Sequence, residues 1–389
     1  MDGITAAGQL TAPHHSHADG AVRFEIASAQ HDATLRRLLR ENPMPGRISL
    51  SLEREPSYFA AAGIEGPEHQ TIVALEGERV ICAGSISARQ RFINGAPMRV
   101  GYLGGLRMDA SRRGRAAIIR RGYDFFRHLH EQGGPPLYLT SIVADNLPAR
   151  RLLERGLKGM PTYRFLGEFV TLIIRRRHRG ETDKSTGLAH RRLRENGLRL
   201  RSGSDARTAE IVELLQRDHQ QYQFAPIWSA DELQPQNFRV VYSPDGTPTA
   251  CAAIWDQRAI KQTVVRGYAQ HLRWARPLIN LGAAVLRRPG LPRIGQSISH
   301  AFVSHLAASP LEPQLAEWLI LLLHGPASAR HIDYLTLGFD ARDPRLAHLR
   351  KVFRPREYAS RLYAVHWDDG AELAHSLDGR LLAPEVALL

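Results

Sequence analysis

From about residue 22 the chain alternates short apolar runs with amphipathic stretches, and the period of the apolar positions assigns the elements. VRFEIA (22–27) predicts a strand, and ATLRRLLREN (33–42) a helix with Leu35, Leu38 and Leu39 on one face. TIVALEGERVICAGSISARQRFING (71–95) alternates as two strands around Glu76-Gly77-Glu78, and MRVGYLGGLRMD (98–109) reads as a third. A helix starting near Gly114 runs to about His130, where EQGGPP breaks it. PLYLTSIVA (136–144) is a strand, NLPARRLLERG a short helix closed by Gly156, and YRFLGEFVTLII (163–174) a last strand. Residues 176–197 carry charge without an apolar period and read as a basic linker.

The pattern then repeats. VRFEIASAQHDATLRRLL (22–39) faces LRLRSGSDARTAEIVELL (198–215), with the leucine pairs 38/39 and 214/215 in register, and Tyr138-Leu139-Thr140 faces Tyr334-Leu335-Thr336. Two domains follow, 21–175 and 198–370, with loose tails at 1–20 and 371–389. The second half holds an insertion that includes YAQHLRWARPLINLGAAVLRRPGLPRIG (268–295), whose apolar run from Pro277 to Leu286 sits between arginines. The expected role is a helix packing on its own domain, with contact to a bilayer surface as the alternative.

Composition narrows the class. A chain of 389 residues can bury two cores, and no stretch approaches the roughly 20 apolar residues of a membrane span. With only Cys82 and Cys251 there is no disulfide framework and no metal spacing, so no metal is expected and the expected compartment is the cytoplasm. The net charge of +13 is lopsided: residues 1–200 carry 31 Lys+Arg against 20 Asp+Glu, and the rest 21 against 19. Lysine occurs only at 158, 184, 261 and 351, so much of the arginine excess reflects a general bias, and nucleic-acid binding is a minor reading.

One stretch concentrates the charge. MDASRRGRAAIIRRGYDFF (108–126) sets Arg112, Arg113, Gly114 and Arg115 at a helix start, where the macrodipole is already positive. Unpaired backbone N–H groups there can bind phosphate oxygens, Gly114 and Ala116 keep side chains out of the way, Arg112, Arg113 and Arg115 can supply charge-assisted hydrogen bonds, and Ala117 completes the expected binding turn.

Strand, basic Gly-containing turn and helix, then a strand and the N-x-x-A-x-x-L-L-E-R-G run from Asn146 to Gly156, resemble the GNAT N-acyltransferase superfamily across residues 22–174. The resemblance implies an α+β fold: two GNAT-like domains, each a mostly antiparallel mixed sheet flanked by helices. It also implies binding of acetyl-CoA or another acyl-CoA. The family's V-D-P-x-x-R-G-R-G-x-G sequence is similar to Met108 to Ile118, with Ala116 and Ile118 where later glycines stand; shifting the frame aligns Ser111, Gly114 and Ala116 with Q/R-x-x-G-x-G/A. By the same resemblance Leu106, Arg107 and Met108 present backbone groups to the pantetheine arm, Gly104 and Gly105 form a bulge, and Asn146 lines the other side.

Acyl transfer to a primary amine needs a polarised thioester carbonyl, which backbone N–H groups near Met108 would supply. It also needs an acid for the thiolate. Relatives use a tyrosine in N-x-x-A-x-x-x-Y, but Leu153 stands at that position, which leaves Tyr163 as the candidate. Asp109 reads as a structural cap, and Asp145 has no assigned role. In the second half Ser309-Pro310-Leu311-Glu312-Pro313 replaces the basic turn, so that half is expected to bind no CoA and to shape the acceptor site; His300, His305, Trp255, Tyr268 and Trp318 are candidates for that pocket or for the interface with the first half, with core packing the expected role of the aromatics. The expected activity is N-acyl transfer to a small-molecule or peptide amine, and a homodimer is left open. The rival function is an acyl-CoA sensor or scaffold with weak turnover, motivated by Leu153.

Overall fold

The computed structural model describes residues 22–156, 158–177 and 179–389; the tail expected at 1–20 lies outside the described residues. The first half runs β1 (Arg23–Ile26), α1 (Asp32–Glu41), β2 (Ile48–Glu53), β3 (Glu68–Glu76), β4 (Arg79–Ile93), β5 (Ala96–Met108), α2 (Ala116–Glu131), β6 (Tyr138–Val143), α3 (Leu147–Leu153) and β7 (Thr162–Arg175). After α4 (Arg179–Glu195) the second half runs β8 (Arg199–Ser202), α5 (Thr208–His219), β9 (Phe238–Tyr242), β10 (Pro248–Trp255), β11 (Gln262–Tyr268), α6 (Gln270–Val285), β12 (His300–Ala307), α7 (Pro313–Ala329), β13 (Tyr334–Asp340), α8 (Arg345–Phe353), β14 (Arg356–His366) and α9 (Ala371–His375).

Twelve strands form one sheet in the order β1-β3-β4-β5-β6-β14-β7-β13-β12-β10-β9-β8, antiparallel except at β5/β6 and β12/β13. The order is the same read from either end, half for half, so a pseudo-twofold relates the halves about the β14/β7 seam. The repeats visible in the sequence are its matching parts: β1 and β8 are the two edges, and Tyr138-Leu139-Thr140 and Tyr334-Leu335-Thr336 occupy the same register beside β5 and β12. Each half has given its last strand to the other. Strand β14 pairs with β6, and Leu362 and Ala364 pack with Val100, Leu137 and Leu139. Strand β7 pairs with β13, and Val170, Leu172 and Ile174 join the core around α7.

Three expectations change. The 176–197 segment is no linker: α4 packs on α7, and Ala189 and Leu193 are buried in the main core. Two apolar contacts in a 17-residue helix are too few to print a stripe on the sequence. The 371–389 stretch is no tail either, since it contains α9 and a buried turn at Val386–Leu388. The insertion does form a helix, α6, but none of its residues is buried, so it does not pack its apolar face on its own domain. Strand β11, just before α6, reaches across to the first half and pairs with β2 as a separate two-stranded sheet.

Candidate functional site

The parallel pairing of β5 with β6 lasts only from Gly101 to Leu103, while β5 stays paired with β4 as far as Met108. Beyond Leu103 the two central strands splay, leaving the β6-facing edge of Gly104–Met108 without a strand partner. The cause is local. The β4/β5 register shifts between Ala83 and Ser85, opposite Arg107 and Gly104, and Gly105 takes φ +63. A side chain on Gly104 would strike the Tyr102 ring. Thr140 closes the vertex by donating from Oγ1 to the Leu103 carbonyl (2.7 Å).

Immediately after β5 the chain turns into α2. Asp109 accepts from the Ser111 N–H (2.9 Å) and hydroxyl (2.7 Å) and pairs with Arg79. Burial alone would raise its carboxyl, but these bonds hold it below the ordinary carboxylate range, as suits a charged cap. Gly114 adopts φ +86, a conformation side chains disfavour, and a Cβ there would meet nothing within 4 Å. The corner is therefore open. Arg112 is tied to Glu76, whereas Arg107, Arg113 and Arg115 have no carboxylate partner among the described residues. Burial, and then the charge of Arg113, push the Arg107 guanidinium below its ordinary pKa. Two neighbouring cations without a counter-charge make a site that an anion would stabilise.

A cavity of about 800 Å³ starts at this splay and crosses the middle of the sheet. Near β5 its walls are apolar, with Phe24, Ile72, Leu106, Ile118 and Phe126; Asn146 lines it at the head of α3, accepting from the Ala149 N–H (3.4 Å). Further along come Thr140, Tyr358 and Ser360, and at the far end Thr263, His300 and Tyr334, with β2 and β11 contributing another wall. Five strand intervals separate β5 from β12, roughly 24 Å at ordinary strand spacing. A buried polar group also lines the cavity. Glu65 is buried with Arg54 (2.6 Å), Lys261 (3.1 Å) and His69 (3.7 Å) around it. Burial pushes the Lys261 ammonium down, and burial opposed by the two cations leaves the Glu65 carboxyl below its ordinary value. His300 is held by Thr263 (3.1 Å), and burial, then Arg258, keep its imidazole below the ordinary value.

The site residues expected from sequence thus fall into two groups. Leu106, Arg107, Met108, Arg113, Gly114, Arg115, Ala116, Ala117 and Asn146 cluster along the splay and its corner, with Arg113 to Ala117 exposed. Tyr163 lines the same cavity from below the vertex. It pairs with Val365 on β14, which in turn faces Tyr138 at the start of β6, below the vertex. Its hydroxyl is bonded to that of Tyr123, its ring meets Tyr123 and Tyr363 edge-on, and burial lifts its phenol well above the ordinary value. Leu153, where a hydroxyl was looked for, is buried in the cavity wall. Tyr358, two strand intervals from β5, was not picked out, because it reaches the first half's sheet on an exchanged strand. The Arg54, Glu65 and Lys261 group joins segments some 200 residues apart, and its one visible signal was a lysine in a chain that otherwise uses arginine.

No family model matches the sequence, and no curated protein matches it. Solved structures do share its architecture. Yeast (Saccharomyces cerevisiae) N-myristoyltransferase with bound myristoyl-CoA superposes with a TM-score of 0.52 at 13% identity, over 88% of this chain and 82% of that one. A second structure of that enzyme, with inhibitors, gives 0.53 at 12% identity over 88% and 80%. The GCN5-related glucosamine N-acetyltransferase region of a fungal multi-domain β-N-acetylglucosaminidase gives 0.55 at 10% identity, over 89% of this chain and 38% of that one. The chain shares the fold of these solved structures.

Within this fold the second half keeps the splay but fills it. Strand β12 pairs with β13 only from His300 to Phe302, and His305 takes the left-handed conformation (φ +52) at the bulge. The His305 N–H donates to Glu385 (2.9 Å), Gln257 donates to the Ala387 carbonyl (3.1 Å), and the Val386–Leu388 turn lies against β12 and β13. The corner ahead of α7 carries Glu312 and then Pro313, which has no N–H to offer. His305 itself is buried against Trp228 (4.2 Å), and burial, then His219 and Arg89, push its imidazole down to about 3. A folded value below the unfolded 6.5 means that its contribution to stability is complete above pH 6.5 and is lost as pH falls toward 3. The His305→Asn variant, which tolerates the same backbone, is expected to show a shallower fall in urea midpoint between pH 7 and 4 than the parent. Parallel curves would mean that His305 does not carry that pH dependence.

Proposed function

We propose that the protein is an acyl-CoA-dependent N-acyltransferase whose first half holds the coenzyme and whose second half supplies the far wall for a primary-amine acceptor. The reading rests on one observation: the β5/β6 splay opens beside an uncovered cationic corner and leads into a single cavity shared by both halves. The diphosphate sits at Arg113 to Ala117, with Arg107 and Arg113 as counter-charges. The pantetheine arm adds to the free edge of β5, and the apolar walls near Ile72, Ile118 and Phe126 take an acyl chain longer than acetyl.

The neutral amine attacks the thioester carbonyl carbon, forming C–N and breaking C–S, while backbone N–H groups of the β5 edge stabilise the oxyanion. The amine proton passes to water, the leaving thiolate takes a proton from Tyr358, whose phenol desolvation holds above its ordinary value, and solvent returns a proton to the resulting phenolate. Thiol release from acyl-CoAs of increasing length against an amine panel tests this. Longer chains are expected to outpace acetyl-CoA, and Tyr358→Phe to lower kcat by about 10- to 100-fold without weakening coenzyme binding. Tyr163→Phe, removing a hydroxyl engaged with Tyr123, is expected to change kcat less than about threefold; a larger loss would return the acid role to Tyr163. Buried Leu153 favours a second reading, an acyl-CoA sensor, which would bind the panel's donors tightly and release no thiol.

A further inference from the structure

Helix α6 presents Trp274, Leu278, Leu281 and Val285 in spacings of four, three and four, which align on one face, at 78, 75, 64 and 76% exposure. Leu286 and Ile294 extend the apolar surface. An apolar stripe of this length left in water is an interaction surface. It is also held in shape. Asn280 exchanges two hydrogen bonds with Leu291 (2.7 and 3.0 Å), Tyr268 donates to the Pro292 carbonyl (2.7 Å) and Arg276 to that of Leu291 (3.3 Å), so the helix and its return segment form a braced arm.

Charge decides the occupant. Between Asp256 and Glu312 the chain has no Asp or Glu, and Arg273, Arg276, Arg287, Arg288 and Arg293 have no carboxylate partner among the described residues. A second copy of the arm would set arginines against arginines. A bilayer with anionic headgroups instead satisfies the guanidinium groups while its acyl region takes up the apolar stripe. We infer that α6 and its return segment dock the protein in plane on an anionic membrane surface. The arm grows directly from β11, and Ile48 of β2, a cavity-lining residue, pairs with Tyr268 at its root, so docking sets the cavity wall close to the lipid.

Flotation of the full chain with phosphatidylcholine vesicles, with and without about 30% phosphatidylglycerol, tests the inference. Binding is expected only with the anionic lipid, with loss at about 0.5 M salt and a blue shift in tryptophan emission that Trp274→Phe removes. The double variant Leu278→Ser, Leu281→Ser, at exposed positions away from the cavity, is expected to cut the bound fraction roughly tenfold with an unchanged melting transition. Equal recovery of parent and double variant with anionic vesicles, or no recovery of either, overturns the inference. So does concentration-dependent dimerisation that the double variant abolishes, which would assign the stripe to a second copy.

Discussion

Replacing Gly114 with glutamate is expected to weaken acyl-CoA binding by about 100-fold or more, close to 3 kcal/mol. Two effects add. The residue sits at φ +86, where a side chain costs of order 1–2 kcal/mol, and the new carboxylate points into the space assigned to the diphosphate. Because a Cβ there meets no atom within 4 Å, the rest of the fold has no reason to respond. Gly114→Ala separates the two effects: it carries the backbone strain without the charge and is expected to lose less than about tenfold. Calorimetric titration with acyl-CoA measures both. A glutamate variant that binds as well as the parent would remove the coenzyme from this corner and the proposed enzyme with it.

The second large effect concerns the exchanged strands. Leu362, Tyr363, Ala364 and Val365 of β14 are all at 0% exposure, inside the first half's sheet. Losing the three larger side chains alone forfeits roughly 5–9 kcal/mol, on the scale of a whole domain's stability. The reverse holds for β7, whose Leu172 and Thr171 are equally buried beside β13 and β14. Fragments 1–177 and 178–389, produced separately, are therefore expected to show no cooperative unfolding, and to recover a folded complex when mixed from urea. A sharp transition in either fragment alone would show that the halves do not depend on the exchange.

How far the sequence reached follows from how local each feature is. The β5 bulge, the turn at Gly114 and the cap at Asp109 are written in consecutive residues, and they were legible. So were the duplicated edges and the paired Tyr-Leu-Thr strands, because a repeat leaves its mark whatever it pairs with. Strand partners are another matter: YRFLGEFVTLII announces a strand, but nothing in its alternation says that Phe169 to Arg175 will lie against β13 rather than finish the first half. Tyr358 was hidden for the same reason. Helix α4 was missed because a helix resting on Ala189 and Leu193 looks polar, and α6 was expected to pack because an apolar run does not disclose what it faces. The Glu65 group depends on contacts between β2, β3 and β11 neighbourhoods that no short window contains.

A duplicated unit ordinarily brings two of everything, yet the wedge formed by Glu385 to Leu388 closes the second of the two splays. The proposed stoichiometry is accordingly one coenzyme for every 389 residues. In the proposed arrangement the second copy holds no ligand of its own, and its closed splay, through His300, Phe302 and Thr336, becomes part of the wall of the cavity that both halves line.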